Sequence, residues 1–244
     1  MQLKEASILV VDDEPVLLDI MGEWFKRLVG QVFCAGDGLQ ALQALAANKI
    51  DLIITDVRMP VMNGISLVKK VKANALHTPS VIFITGFSDI EVREAYDLGA
   101  EALLEKPIER DDLINAVKRS LAERNDLWQT PLDLAGCLTL TGSFASLAAA
   151  LQEHRIAFGR GGFCIETEQF LAEGPVNIEL SFKAVQYMLS GQGIVRWLAH
   201  QESLMGIELT YVAEESRAQV VELTERSAAF IPCTTGRIYQ ARAG

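Results

Sequence analysis

The first half of the chain alternates short apolar runs with stretches of helical spacing. Ile8-Leu9-Val10-Val11 predicts a first strand, and residues 15–28 a helix from the spacing of Val16, Ile20, Phe25 and Leu28. A second strand is predicted at 32–35 and an Ala/Leu-rich helix at 38–47. Leu52-Ile53-Ile54 gives a third strand, followed by Asn63-Gly64 and a helix at 65–71. Val81-Ile82-Phe83-Ile84 gives a fourth strand, then a helix at 90–98 closed by Gly99. Ala102-Leu103-Leu104 gives a fifth, then a last helix at 111–121. Strands apolar on both faces and separated by helices imply a parallel sheet covered on both sides. Five such units in half a chain make an α/β doubly wound, flavodoxin-like domain, whose ligands lie at the carboxyl ends of the strands.

After Glu123 the texture changes. Residues 124–131 read as a polar break. Period-two alternation follows: Val176, Ile178, Leu180 and Phe182 oppose Asn177, Glu179 and Ser181, and Ile207, Leu209 and Tyr211 alternate with Glu208 and Thr210. Residues 163–165 and 194–198 read as further strands. Gly161-Gly162 and Gly191/Gly193 are turn or bulge signals. Residues 143–151 are ambiguous between helix and strand, and 214–226 predict a closing helix. The expected organisation is a first domain over 1–123, a linker over 124–137, an antiparallel β-barrel over 138–230 with its terminal helix, and a tail over 231–244.

Charge and cysteine content remove several function classes. The chain has 244 residues and a net charge of −10, with basic groups concentrated in neither half. Generic attraction to a nucleic-acid backbone is therefore unsupported, and no recognition-helix pattern follows the first domain, so no DNA partner is expected. Half of the residues are apolar, which excludes wholesale disorder. Lys4 and Glu5 lead into only four apolar residues before Asp12, so no secretory signal is expected. The longest uncharged stretch, 134–152, is interrupted by Gly136, Thr139, Thr141, Gly142, Ser143 and Ser146, so no membrane insertion is expected. Cys34, Cys137, Cys164 and Cys233 are widely spaced without a CxxC, the usage of a reducing cytoplasm.

The candidate chemistry sits at the predicted strand ends. Asp12 and Asp13 follow the first strand, Asp56 the third, Thr85 the fourth and Lys106 the fifth. On one rim of a parallel sheet these five converge. Several carboxylates facing one ammonium is costly to bury unless a cation joins them, and hard oxygen ligands suit Mg²⁺. With the metal in place, a carboxylate can attack a phosphoryl group, and Asp56, ending a central strand, is the natural nucleophile. Asp12-Asp13-Glu14-Pro15 read alone is only a helix start, and Thr85-Gly86 only a turn.

These blocks carry a resemblance. Val11-Asp12-Asp13-Glu14-Pro15, the run from Asp56 through Met59-Pro60 to Asn63-Gly64, Thr85-Gly86 and Lys106-Pro107 resemble the receiver domain of two-component response regulators. The resemblance implies phosphorylation of Asp56 by a sensor histidine kinase or a phosphotransfer protein. It implies Mg²⁺ on Asp13, Asp56 and the backbone carbonyl of Arg58, with Asp12 acting through water. Thr85 is then the switch hydroxyl and Lys106 the phosphate partner. It implies an output or homodimer surface on the fourth helix, fifth strand and fifth helix, here about 90–98, 102–104 and 111–121. Leu103 stands where receivers usually carry Tyr or Phe, so a Thr–aromatic relay lacks its ring. Arg58 is read as overhanging the pocket.

Gly161 to Glu168, Gly174, Gly193 to Trp197 and Met205 to Leu209 resemble a PilZ domain over about 152–226. Such domains are six-stranded barrels that commonly bind cyclic di-GMP through RxxxR and (D/N)xSxxG. Aligning Gly162 with the motif glycine puts Ala157 and Gly159 at its polar positions, and no RxxxR precedes it. Arg155, Arg160 and Gly162 are the nucleotide-contact candidates, but cyclic di-GMP is expected not to bind. The whole-chain reading is a cytoplasmic, non-enzymatic response regulator whose PilZ-like output contacts a downstream protein. Two alternatives stay open: a cyclic di-GMP receptor with a non-consensus site, and an Asp-nucleophile phosphatase. Phosphatases of that kind usually carry a second acid where Arg58 stands.

Overall fold

The computed structural model describes residues 3–74, 79–86, 89–90, 94–95, 98–122, 126–129, 131–132, 134, 136–159, 161–200 and 203–225. The chain divides into two compact units, the first through residue 123 and the second from residue 124. Arg160, Cys233 and the expected tail over 231–244 lie outside the described residues.

The first unit is built on β1 (Ser7–Val11), β2 (Gln31–Ala35), β3 (Leu52–Asp56), β4 (Ser80–Thr85) and β5 (Ala102–Glu105). All neighbours pair in parallel, in the order β2-β1-β3-β4-β5. Alternate strand residues serve opposite faces, as the pleat requires. Ile8, Val10 and Ile54 pack with Met21, Phe25, Leu113 and Val117 on one side. Leu9, Val11 and Ile53 pack with Ala41 and Leu67 on the other, and Phe83 and Leu103 meet Val68 there in a further cluster. The helices Pro15–Phe25, Gly38–Ala47, Gly64–Asn74 and Arg110–Leu121 supply these partners. Asp37 caps Gly38–Ala47 by accepting from the amides of Leu39 (2.7 Å) and Gln40 (2.9 Å). The first helix stops at Phe25, three residues short of the apolar pattern. There the chain turns into β2, with the Gly30 amide bonded to the Ala6 carbonyl at 2.9 Å. Most of the expected helix over 90–98 lies outside the described residues.

The second unit holds β6 (Thr139–Phe144), β7 (Ile156–Gly159), β8 (Gly162–Glu166), β9 (Gly174–Phe182), β10 (Tyr187–Ala199) and β11 (Leu204–Val212), in the order β6-β9-β10-β11-β8-β7. This corrects the expectation that every pairing here is antiparallel. The sheet is mixed, because β6 runs parallel to β9. Among the described residues, β6 and β7 stand at its two edges. It curls nonetheless: the Arg155 guanidinium, just before β7, lies 5.2 Å over the Phe144 ring at the end of β6. Residues 143–151 resolve as the end of β6 and a helix, Leu147–Gln152, capped by the Ser146 hydroxyl. A bulge falls between Gln192 and Gly193. Part of the expected linker is integrated into this sheet. Trp128 is buried, its carbonyl accepts from the Val212 amide at 3.0 Å, and Leu132 donates to the Gln192 side chain at 2.7 Å. Glu214–Glu225 forms the closing helix. No helix among the described residues is long and apolar enough to cross a membrane.

Candidate functional site

Register brings the acidic residues together. Val11 pairs with Thr55, so Asp12 and Asp56 are the next residues on adjacent strands, at one rim of the sheet. Asp12 is fully buried, Asp56 is 5% exposed, and Asp13 faces solvent. One carboxylate oxygen from each of the three lies within 4.8 Å of the others. Lys106 leaves the end of β5, held by its amide to the Thr85 carbonyl at 2.8 Å. Its ammonium bonds Asp56, bonds Asp12 at 3.1 Å and stands 3.6 Å from Glu14.

The electrostatics follow from that geometry. Burial raises the Asp12 pKa above its ordinary 3.8, against the lowering pull of the Glu14 amide and of Lys106. Burial works to lower the Lys106 pKa, but its bonds to Asp56 and Asp12 and their charges outweigh it, so the ammonium is held above its ordinary value. A cluster with more carboxylates than cations, half of it buried, is chemically suited to a hard divalent cation. The donor set therefore fits Mg²⁺.

The loop after β3 is shaped to present Asp56. The Arg58 amide donates to Asp56 Oδ1 at 2.9 Å, and the Val57 amide bonds the Ile84 carbonyl at 2.9 Å. Gly64 opens the following helix against the same strand end. A Cβ there would sit 2.1 Å from the Asp56 carbonyl oxygen, so only glycine allows this approach. Thr85 is buried at the end of β4, and its hydroxyl donates to the Gly86 carbonyl at 2.8 Å.

Arg58 corrects an expectation. Its side chain is paired with Asp89, beyond β4, rather than simply overhanging the carboxylates. Asp89 was missed by sequence reasoning, as was the approach of Glu14 to Lys106. The only sequence signal for Asp89 was an acid four residues past Thr85, which a solvated loop supplies equally often. Leu103 is buried in the cluster with Phe83 and Val68, so its place is filled by packing.

The nucleotide-contact candidates lie in the second unit. Gly162 is buried in β8, and a Cβ would meet the Ile207 carbonyl at 2.0 Å. Its missing side chain lets β8 pack closely against β11. Arg155 lies in an open cleft of about 490 Å³ with Thr141, Phe144, Glu166 and Ser203 among its lining. Its guanidinium stacks on Phe144 and stands 3.6 Å from Glu166, so its charge already has a partner. Arg160 is outside the described residues.

Comparison with known proteins agrees with the constellation. The family described as response regulator receiver domain matches residues 8–118. Sporulation initiation phosphotransferase F of Bacillus subtilis is 33% identical over 116 residues, covering 47% of this chain and 93% of that protein. The transcriptional regulatory protein CrdR of Helicobacter pylori is 34% identical over 116 residues, which is 47% of this chain and 54% of that one. This chain thus spans about half the length of CrdR, and only 30% of the Regulator of RpoS of Escherichia coli. Among solved structures, the chemotaxis response regulator CheY4 of Vibrio cholerae is 29% identical, with a TM-score of 0.44, covering 48% of this chain and 99% of that one. Through its first unit the chain belongs to the response regulator receiver family. Receiver domains bind Mg²⁺ at an acidic pocket and interact with histidine kinases or phosphotransfer proteins.

Proposed function

We propose that this chain is a phospho-acceptor switch: Asp56 receives a phosphoryl group from a histidine kinase or phosphotransfer protein, and the second unit carries the output. The observation that carries the reading is the convergence of Asp12, Asp13 and Asp56 with Lys106 at the rim of β1, β3 and β5. An Asp56 carboxylate oxygen attacks the phosphorus of a donor phosphohistidine; the P–O bond forms as the P–N bond breaks, and the imidazole leaves with the electron pair. Asp12, Asp13, Asp56 and the Arg58 carbonyl are the residues proposed to hold Mg²⁺, which when bound offsets the charge of the incoming phosphoryl oxygens. Lys106 then turns from Asp56 to a phosphoryl oxygen, and the Thr85 hydroxyl leaves Gly86 for another. The self-limited phosphotransfer makes the chain a switch rather than a turnover enzyme.

Exposed Val16 and Ile20 on the first helix, beside the acidic rim, suit a phosphodonor's apolar contact. The output is proposed to be PilZ-like and to act through a downstream protein. The partnered state of Arg155 and the packed state of Gly162 support an output that does not take cyclic di-GMP. The test is intact mass after incubation with acetyl phosphate and Mg²⁺. Wild type gains one phosphoryl adduct and Asp56→Asn gains none; an adduct of equal yield in Asp56→Asn sinks the assignment.

A further inference from the structure

Leu103 leaves this receiver unit without an aromatic ring to couple the acceptor pocket to the rest of the domain, yet Asp89 makes a direct link. One of its oxygens pairs with the Arg58 guanidinium, and Oδ2 accepts from the Gly86 amide at 2.7 Å. Arg58 in turn bonds Asp56 Oδ1 through its own amide, and Thr85 bonds the Gly86 carbonyl. Both polar groups of Gly86 are thereby tied to the unphosphorylated state, one through Asp89 and one through Thr85.

We propose that Asp89 is a latch that holds Arg58 and Gly86 while Asp56 is unmodified, and that a phosphoryl group on Asp56 opens it by drawing Arg58 away. The inference rests on the phospho-acceptor reading of Asp56. The asymmetry of exposure makes the latch workable. The Arg58 side chain is 74% exposed, so exchanging one anionic partner for another costs it little. The Asp89 side chain is only 9% exposed, and losing its cation leaves a nearly buried carboxylate short of a partner. It gains by turning to solvent and releasing the Gly86 amide. The phosphoryl group supplies three acceptor oxygens and nearly two negative charges within one side-chain length of the Arg58 backbone. It competes for Arg58 and for the Thr85 hydroxyl at once, and both leave partners on the same short stretch after β4. Asp89 is a positioning residue here, acting through Arg58 and Gly86 rather than on the reacting atoms.

Hydrogen exchange of the Gly86 amide reads the latch directly, with beryllofluoride and Mg²⁺ as the stable phosphoryl mimic and intact-mass phosphorylation run in parallel. In the wild type the mimic is expected to speed Gly86 exchange about tenfold, the effect of losing one charge-assisted hydrogen bond. In Asp89→Ala and in Arg58→Ala the amide already exchanges fast without the mimic. The further increase then falls to about twofold or less, a loss of response that a general loss of stability does not produce. Arg58→Lys, which keeps a cation, restores most of the response. A full tenfold response in Arg58→Ala, or none in the wild type while Asp56 still takes phosphate, overturns the latch alone. Absence of phosphate on the wild type overturns the latch and the acceptor reading together.

Discussion

Lys106 is ion-paired with Asp56 although β4 lies between their two strands, so the ammonium reaches across the rim of the sheet to the acceptor carboxylate. That reach makes Lys106 the resident counter-charge of the acidic site. Lys106→Met leaves buried Asp12 and Asp56 facing each other and is expected to cost about 2 kcal/mol in metal-free buffer, less than a fully buried pair because the Lys106 side chain is 24% exposed. Mg²⁺ should then raise the urea midpoint of the variant more than that of the wild type. Equal shifts would show that the metal and the ammonium do not share the same acids.

Gly64→Ala places a methyl group against the Asp56 carbonyl, and is expected to destabilise by about 3 kcal/mol and to slow phosphorylation, because the strand end itself must shift. Gly22→Ala is the internal control. Its added carbon comes no nearer than 3.8 Å, to the Cys34 sulfur, and in mid-helix it should stabilise by about 0.5–1 kcal/mol. Urea denaturation of the pair separates close packing at the acceptor loop from a simple glycine effect.

Val61 takes a left-handed backbone with φ of 64° on an 80% exposed side chain, a conformation a β-branched residue adopts only under strain. Val61→Asn is expected to raise stability by about 1 kcal/mol, read as a higher urea midpoint at unchanged slope.

Much of this was readable from the chain itself. Strands β1, β3, β4 and β5 are apolar runs with the polar site residues at or just past their ends, so they stand out locally, and their convergence follows from parallel topology alone. The second sheet was less legible for physical reasons. Its edge strand β6, Thr139–Phe144, dilutes its alternation with Thr, Gly and Ser, and its parallel pairing with β9 joins residues nearly forty apart. The Arg58–Asp89 pair and the stacking of Arg155 on Phe144 depend on how loops approach one another, which periodicity does not encode.

Lys72 gives a pH dependence of definite sign. Its ammonium bonds the Gly99 carbonyl at 3.1 Å, and burial lowers its pKa below the ordinary 10.5. Between the folded value and 10.5 the unfolded chain binds more protons, so this site adds stability as pH rises through that window. Wild type should therefore gain on Lys72→Met as pH approaches 10.5, measured as the difference in urea midpoints. A constant difference would refute the burial cost.

The most direct measurement is the rate at which the intact protein acquires phosphate from acetyl phosphate with and without EDTA. If the acids around Asp56 accept another anion only beside a divalent cation, chelation slows the adduct by on the order of a hundredfold, and added Mg²⁺ restores it. Phosphorylation at the same speed in EDTA would contradict the account.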